Sequence, residues 1–274
     1  MLNKTNFLFA LLTCLLLSSL STICRASATE QEDEHEFTYK EGSERGPEHW
    51  GDIQSDWKIC KKGEMQSPID LLHERVQVFS GLGRLKRDYQ PAPAAAKNRG
   101  HDIMIEWKGD AGKININGIN YSLKQCHWHS PSEHTFNGSR YKLELHMVHI
   151  NSCGGIAVIG ITYKYGRHDH FLDKIIASIG SVGSEEKDLG IINPGDIKFG
   201  SRKYYRYMGS LTVPPCTEGV IWTIEKKVRT VSREQVRALR DAVDDGYEEN
   251  ARPIQQKNGR TVLLYRPRVN GGSP

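Results

Sequence analysis

The sequence predicts a mainly β, α+β fold, in which one domain contains a large, mostly antiparallel central sheet with short peripheral helices. Short alternating or β-branched runs bounded by Gly, Asn and Pro recur along the chain and are typical of strands. These runs cover residues 102–107, 113–116, 119–125, 142–150, 156–163, 220–226 and 261–264. Helical patterns are confined to 171–179 and 232–243, where Ser232 and Gln235 form a capping signature. The proline-containing segment 90–96 predicts an extended loop between strands.

The first residues, 1–28, have the pattern of a secretory signal peptide. Lys4 gives a positive start, an apolar run follows, and Ala26-Ser27-Ala28 offers small residues for cleavage. Because that run is short for a bilayer span, a membrane anchor is the less favoured alternative. We expect a mobile charged head at 29–36, one domain at 37–268 and a polar tail at 269–274. No membrane anchor is expected in the mature chain, because it has no long apolar segment.

Composition narrows the class of protein. The 274 residues are 38% apolar and 26% charged, which is typical of a globular chain and not of a disordered one. The formal net charge is +4, and the leader contains two of the 37 basic residues and none of the 33 acidic residues. The mature chain is therefore close to neutral, which gives no electrostatic basis for binding nucleic acid.

Secretion would place the cysteines in an oxidising compartment. The leader contains two of the six cysteines, and the other four allow three complete pairings among which the spacing does not choose. These four are Cys60, Cys126, Cys153 and Cys216. Secretion also makes two sequons candidates for glycosylation. Asn137, in a predicted turn, is favoured over Asn120, in a strand-like stretch.

A group of histidines carries the strongest chemical signal. Residues two apart on a strand face the same side, so Gln125, His127 and His129 share one face. His146 lies on the next predicted strand with Glu144 on its own face. Three neutral imidazoles that leave a fourth position open are typical of a catalytic zinc site. Gln125 and Glu144 are placed to accept the second N–H of a ligand ring.

The alternative is that these histidines are buried core residues, which a lone H-x-H pair would favour. The strand-matched third histidine and the two acceptors favour zinc instead. His134 and His149 are expected to support buried hydrogen bonding around the site. The pair His168 and His170 repeats the spacing in a polar turn with no third ligand evident, so no second metal site is expected there.

Several separated segments carry a family signature. They are Gly46-Pro47-Glu48-His49-Trp50, Gln66-Ser67-Pro68-Ile69-Asp70, Asn98-Arg99-Gly100-His101, Gln125-Cys126-His127-Trp128-His129, Pro131-Ser132-Glu133-His134, Glu144-Leu145-His146-Met147-Val148-His149, Gly209-Ser210-Leu211-Thr212-Val213-Pro214-Pro215-Cys216 and Asn250-Ala251-Arg252-Pro253. Together they resemble the signature motifs of the α-class carbonic anhydrases, in particular the plant secreted branch. The motifs follow the family order from about residue 37 to 266, which is nearly the whole mature chain.

The resemblance implies Zn²⁺ at the base of a conical cavity. The implied ligands are His127, His129 and His146, and their implied hydrogen-bond partners are Gln125, Glu144 and the backbone carbonyl of Asn250. Thr212 would accept a hydrogen bond from the zinc-bound hydroxide and donate its own proton to Glu133, since an ionised carboxylate can only accept.

The resemblance also implies substrate contacts and a proton carrier. The implied substrate residues are Val148, Val158, Leu211, Thr212, Val213 and Trp222. Of these, Val148, Val158, Leu211 and Trp222 would form a dry wall for carbon dioxide. Val213 lies beside Thr212 at a position where the family also accepts Thr, and it should perturb the contacts of bicarbonate slightly. His101 matches the proton shuttle of the family, because an imidazole titrates near neutral pH. Arg99 departs from the Asn often found beside that shuttle, and its charge would disfavour the imidazolium and alter the transfer rate.

The implied activity is the reversible hydration of carbon dioxide to bicarbonate and a proton, with ester hydrolysis as a side reaction and sulfonamides or anions as inhibitors. Family members outside the cytosol pair the cysteines that correspond to Cys60 and Cys216, which would leave Cys126 and Cys153 as free thiols. The protein would be a monomer or a homodimer, extracellular or apoplastic, with the chloroplast stroma reached through the secretory route as the alternative location. A storage or binding protein that reuses the fold is the competing function.

Overall fold

The computed structural model describes residues 36–180, 182 and 185–267. The predicted signal peptide at 1–28, the head except residue 36, residue 268 and the tail at 269–274 lie outside the described residues. Among the described residues, no helix is both long and apolar enough to cross a bilayer.

Strands make up most of the regular secondary structure of the described residues. Their bounds are β1 Asp70–Leu71, β2 Gln77–Val78, β3 Lys86–Tyr89, β4 Ala92–Asn98, β5 Ile103–Trp107, β6 Gly112–Ile116, β7 Ile119–His129, β8 Thr135–Phe136, β9 Ser139–Arg140, β10 Leu143–Ile150, β11 Ile156–Tyr165, β12 Lys187–Ile192, β13 Tyr204–Ser210, β14 Glu218–Glu225, β15 Arg229–Val231 and β16 Leu263–Tyr265. The helices are α1 Trp50–Ile53, α2 Ile59–Lys62, α3 His170–Ile179 and α4 Arg233–Arg240. The predicted mainly β class is confirmed.

One 13-stranded sheet dominates this part of the chain, with the main order β12-β4-β5-β7-β10-β11-β14-β13-β16-β2. Strands β1, β8 and β9 form a separate small sheet. Most pairs of the large sheet are antiparallel, while β11 with β14, β11 with β15 and β16 with β2 are parallel. The mostly antiparallel sheet therefore agrees with the prediction, and the histidine strands β7 and β10 lie side by side near its middle.

The predicted loop at 90–96 is wrong, because residues from Ala92 onward form β4 between β12 and β5. Ala92, Ala94 and Ala96 alternate into the core, and Pro93 lies on the exposed outer face. Proline lacks only the N–H, and the carbonyl of Pro93 still accepts a hydrogen bond from Lys108 N at 2.9 Å. Small side chains at alternate positions thus form a buried strand despite the prolines.

The two predicted helices are present with adjusted ends. Asp169 caps α3 by accepting hydrogen bonds from the backbone N–H groups of Phe171 and Leu172. At α4, Ser232 and Gln235 form the predicted capping box, but the helix ends at Arg240, short of the predicted residue 243. Both helices pack on the face of the sheet opposite the histidines, where they cover the largest apolar cluster.

An irregularity in β7 decides which residues share the histidine face. The pairing with β10 shifts between Val148 and His149, so that Val148 lies opposite Gln125 and His149 opposite Leu123. Lys124 is therefore the extra residue of a β-bulge. Because of it, Leu123 packs into the core cluster, whereas Gln125, only two residues later, lies on the ligand face.

Candidate metal centre

Three histidines come together on two neighbouring strands. His127 and His129 lie on β7, and His146 on β10 lies directly opposite His127 in the strand register. One potential ligand atom from each of the three rings lies within 4.8 Å of the other two, and all three residues are buried. The predicted ligand set is therefore assembled, and its members come from the rigid interior of the sheet.

Each ring is oriented by an acceptor. His127 Nδ1 donates to Gln125 Oε1 at 2.8 Å, and His129 Nδ1 donates to the carbonyl oxygen of Asn250 at 2.8 Å. His146 uses its other nitrogen, since Nε2 donates to Glu144 Oε1 at 3.0 Å. The predicted partners of the ligands are all in contact with them. The nitrogens opposite these contacts are Nε2 of the first two rings and Nδ1 of the third, and these are the atoms that could bind a metal.

The donor set fits Zn²⁺. Neutral imidazole nitrogens are typical zinc ligands, and three of them leave one tetrahedral position for another group. Nε2 of His129 is a buried polar atom with no hydrogen-bond partner, as expected of an atom that binds a metal. Burial lowers the pKa of His146, which favours the neutral ring that a metal ligand requires. At His129, burial acts in the same direction, but the carboxylates of Glu133 and Asp102 outweigh it and raise the pKa.

A chain of hydrogen bonds extends from His146 into the protein. Glu144 accepts from both the backbone N–H and Nδ1 of His134, at 2.8 and 2.7 Å. The other nitrogen of His134 accepts from the hydroxyl of Tyr207 at 2.7 Å, and that hydroxyl lies 2.8 Å from Ser67 Oγ. Burial would raise the pKa of Glu144, but the contacts with His134 and His146 hold it well below its usual range. The ring of His146 is thus oriented by a buried, ionised carboxylate.

His134 forms the expected buried hydrogen bonds beside the three histidines. His149 is also buried, with its Nε2 2.8 Å from the hydroxyl of Tyr89, but it lies on the opposite face of β10, with Leu145 and Met147 of the core cluster. Tyr207 and Ser67 were missed as parts of the network. A signal for Ser67 existed in the Gln66-Ser67-Pro68 motif, but nothing in the sequence indicated that it meets a tyrosine 140 residues away.

Glu133 is buried beside the histidines. Its Oε1 accepts from the backbone N–H of Arg252 at 2.9 Å, and its Oε2 lies 3.7 Å from His129 Nε2. Oε2 is buried without a hydrogen-bond partner, so the donation from Thr212 implied by the resemblance is not formed in this structure. Thr212 is buried in the loop that follows β13.

The residues of the implied apolar wall lie together. Val148, Val158, Leu211 and Trp222 belong to one buried apolar cluster, and the ring of Trp222 lies 4.8 Å from that of His146. Val213, next to Thr212 along the chain, belongs to a second cluster with Cys60 and Cys216.

His101 is buried in this structure, whereas a proton carrier must exchange protons with solvent. His101 is 0% exposed, and its ring lies 5.3 Å from that of Phe37. Arg99 donates from Nε and Nη2 to the two carboxylate oxygens of Asp102, at 2.8 and 2.5 Å. Burial would raise the pKa of Asp102, but the Arg99 guanidinium holds it far below its usual range. The positive charge of Arg99 is therefore paired with the buried carboxylate of Asp102.

The structure contains the disulfide between Cys60 and Cys216, with the Cα atoms 5.0 Å apart, and this pairing is confirmed. Cys126 is a buried free cysteine and Cys153 a half-buried one, also as expected. Arg252 is a further residue that sequence reasoning missed. It is 1% exposed. Its guanidinium donates to the carbonyl of Cys60 and its backbone N–H donates to Glu133 Oε1, both at 2.9 Å. Arg252 therefore connects the disulfide to the carboxylate beside the three histidines.

Both predicted glycosylation asparagines are exposed. Asn137 lies in a turn with φ of 50°, and its Oδ1 accepts from His73 N at 2.8 Å. Asn120 lies at the start of β7, where its Oδ1 accepts from Asn115 Nδ2.

A buried three-histidine cluster with ordered acceptors beside an apolar cluster, on a mainly β fold, defines a candidate metal centre whose donors are those typical of zinc. The family model of eukaryotic-type carbonic anhydrases matches residues 45–266. Alpha carbonic anhydrase 4 of Arabidopsis thaliana is 54% identical over 266 residues, which cover 97% of this chain and 98% of the relative.

Solved structures agree with this result. Dioscorin in complex with ascorbate has a TM-score of 0.84 and 42% identity, covering 86% of this chain and 100% of that one. The α-carbonic anhydrase of Thermovibrio ammonificans with the inhibitor sulfanilamide has a TM-score of 0.77 and 35% identity, with coverage of 86% and 100%. The chain belongs to the eukaryotic-type carbonic anhydrase family.

Proposed function

We propose that the protein is a zinc-dependent carbonic anhydrase that converts carbon dioxide and water reversibly to bicarbonate and a proton. The observation that carries this proposal is the intact ligand set, in which His127, His129 and His146 each have one ring nitrogen held by an acceptor. Zinc, when bound, lowers the pKa of a coordinated water to about 7 and so supplies a nucleophile at neutral pH.

The residues around the ligands would position the reactants. Val148, Val158, Leu211 and Trp222 form a dry apolar cluster suited to a nonpolar gas molecule. Glu133 has one buried oxygen, Oε2, that lacks a partner, and the proposed donor to it is the Thr212 hydroxyl. Thr212 would then be left as an acceptor toward the nucleophile and orient it toward carbon dioxide.

His101 is proposed as the proton carrier between this site and solvent. An imidazole titrates near neutral pH, so it can take and release the proton at each turnover. Because the ring is buried against Phe37 in this structure, delivery to solvent requires a second ring orientation.

Stopped-flow measurement of carbon dioxide hydration on purified protein with quantified zinc tests the proposal. We expect one zinc per chain and hydration that a sulfonamide inhibits, in keeping with the sulfanilamide complex of the Thermovibrio ammonificans enzyme. Stoichiometric zinc without inhibitable hydration would contradict the enzyme assignment. Ester hydrolysis should follow the same inhibition curve, and a zinc-independent esterase would contradict its assignment to this site.

A storage or binding protein on the same fold is the second candidate function, because dioscorin, solved with ascorbate, is a similar structure. Abundant protein without zinc in its native tissue would favour this candidate. The complete set of three histidines favours the enzyme.

We further propose that residues 1–28 are removed in the secretory pathway and that Asn137, before Asn120, carries a glycan. Deglycosylation followed by mass spectrometry of the secreted protein tests both expectations. Non-reducing electrophoresis with size-exclusion chromatography distinguishes a monomer from a homodimer.

A further inference from the structure

Three exposed turns in the described part of the chain carry the dipeptide Asn-Gly. They are Asn117-Gly118, Asn137-Gly138 and Asn258-Gly259, and in all three the asparagine and the glycine both have a positive φ, between 49° and 86°. The first turn joins β6 to β7 and the second joins β8 to β9, whereas the third lies in the segment between α4 and β16. The three turns therefore share one dipeptide and a left-handed backbone, and they differ in what holds them.

An Asn-Gly pair can lose its amide group without a catalyst. The backbone nitrogen of the glycine attacks the side-chain carbonyl carbon of the asparagine and closes a succinimide ring, and Nδ2 leaves as ammonia after taking up the proton of the glycine N–H. Water then opens the ring to aspartate or isoaspartate. Glycine favours the attack because it has no Cβ beside the reacting nitrogen. The step is easiest where the glycine N–H is not already donating to an acceptor.

Asn137 is held at both reacting groups. Its side-chain oxygen accepts from His73 N at 2.8 Å, and the N–H of Gly138 donates to Asp70 Oδ1 at 2.9 Å. The attacking nitrogen and the carbonyl that it attacks are therefore each fixed by a hydrogen bond that must break before the ring can form.

Asn117 is held at the attacking nitrogen. The N–H of Gly118 donates to Asn115 Oδ1 at 3.1 Å. The turn also closes a strand pair in which Ile116 lies directly opposite Ile119, so ring closure would distort the end of that pair.

Asn258 leaves the attacking nitrogen unoccupied. No residue that the structure describes accepts a hydrogen bond from the N–H of Gly259. The side chain is held at the leaving group instead, where Nδ2 donates to the carbonyl of Glu64 at 3.1 Å in an exposed bond. The side-chain carbonyl and the glycine nitrogen are thus both available for the reaction.

We propose that Asn258 is a site of spontaneous deamidation in the folded protein, and that it converts to aspartate and isoaspartate before Asn117 and Asn137 do. The chemistry requires only water and releases only ammonia. This inference does not depend on the proposed hydration activity, because the turn reacts with its own backbone.

The product would change how this turn is attached. A carboxylate at position 258 accepts hydrogen bonds but cannot donate, so the bond to the carbonyl of Glu64 would be lost. Arg260, two residues later, donates from Nη2 to the carbonyl of Gln66 at 2.8 Å, so the turn lies where this loop is fastened to the segment that carries Ser67. Deamidation would therefore add a negative charge and loosen that attachment.

Peptide mass spectrometry of the mature full-length protein, kept folded at mildly alkaline pH for increasing times, tests the proposal. A bacterial periplasm is a suitable source, because the disulfide can form there and no glycan is attached to Asn137. Fragmentation that separates isoaspartate from aspartate identifies the product of the succinimide. We expect Asn258 to convert about two- to tenfold faster than Asn117, which is the factor that one hydrogen bond supplies, and Asn137 to be the slowest.

Asn115→Ala is the matched variant, since it frees the N–H of Gly118 and should raise the rate at Asn117 while leaving the rate at Asn258 unchanged. Thermal unfolding checks that this variant is folded. In urea the three rates should converge, because the hydrogen bonds that distinguish the turns are lost. Conversion of Asn258 no faster than that of Asn117 in the folded protein would overturn the proposal. A ranking that urea leaves unchanged would overturn it as well, because the flanking sequence would then set the rates.

Discussion

The ligand histidines and His101 lie in one buried region but are held in different ways. His127, His129 and His146 are in strand interiors, and each ring is oriented by a hydrogen bond to a defined acceptor. His101 follows the turn at Gly100, its ring packs against that of Phe37, and its Nε2 lies 3.6 Å from Asp102 Oδ2. A metal ligand must stay in place, which the three acceptors favour, whereas the proposed role of His101 as a proton carrier requires its buried ring to change position.

The largest expected effect comes from removing a ligand. His146→Ala should abolish stoichiometric zinc and lower carbon dioxide hydration by at least about a thousandfold, because the metal supplies the nucleophile. Zinc content and stopped-flow hydration measure both quantities. The matched control is His168→Ala, a surface histidine of the other H-x-H pair, which should retain zinc and activity. Full zinc retention by His146→Ala would show that the ligand set is wrong.

The next effect concerns stability around His101. Asp102→Asn leaves the buried Arg99 guanidinium without its compensating charge, which should cost about 3 to 5 kcal/mol of unfolding free energy at pH 7. The folded pKa of Asp102 lies below its unfolded value of about 3.9, so the contribution is complete above about pH 5 and is lost as the pH falls through the folded pKa. The deficit of the variant should therefore shrink in acid.

Urea unfolding at pH 7 and at stepwise lower pH measures this deficit. Asp52→Asn is the control, since Asp52 forms an exposed ion pair with Lys61 and its loss should change stability little. A deficit that grows as the pH falls would contradict the assigned direction of the Asp102 pKa.

A smaller effect is expected from loosening a ligand without removing it. Gln125→Ala deletes the acceptor of His127 Nδ1 and should weaken zinc binding by about 10- to 100-fold. Competition with a chelator of known affinity measures the change. Lys124→Ala, at the exposed bulge residue beside it, is the control and should leave zinc affinity unchanged. An equal loss in the two variants would mean that the strand, and not the acceptor, was disturbed.

The smallest effect is expected at His101. His101→Ala should retain zinc and slow proton-limited turnover by less than about 100-fold, the low end of what a positioned acid–base group contributes. Added imidazole buffer should restore the rate, because it carries the proton in place of the side chain. If the variant loses zinc, or if imidazole does not restore the rate, His101 does not carry the proton and is a structural residue.

The sequence predicted the site better than its surroundings. Strand parity alone grouped Gln125, His127 and His129, since it depends only on the alternation of a local backbone. Parity would have misplaced Leu123 onto the same face, because the bulge at Lys124 arises from pairing with β10. The sequence did not predict β4, because its prolines favoured a loop and outweighed the alternating pattern of its alanines.

The sequence by itself predicted the fold class and the grouping of the histidines, because each depends on residue type and order along the chain. The pairing of Cys60 with Cys216 and the place of the Asn250 carbonyl beside a ligand ring came only from the family resemblance, and the structure contains both contacts. Tertiary structure alone decided that Val213 packs with the disulfide, that Asp102 pairs with Arg99 and that His101 is buried against Phe37. These are contacts whose strength depends on distance and burial, and neither quantity exists until the chain has folded.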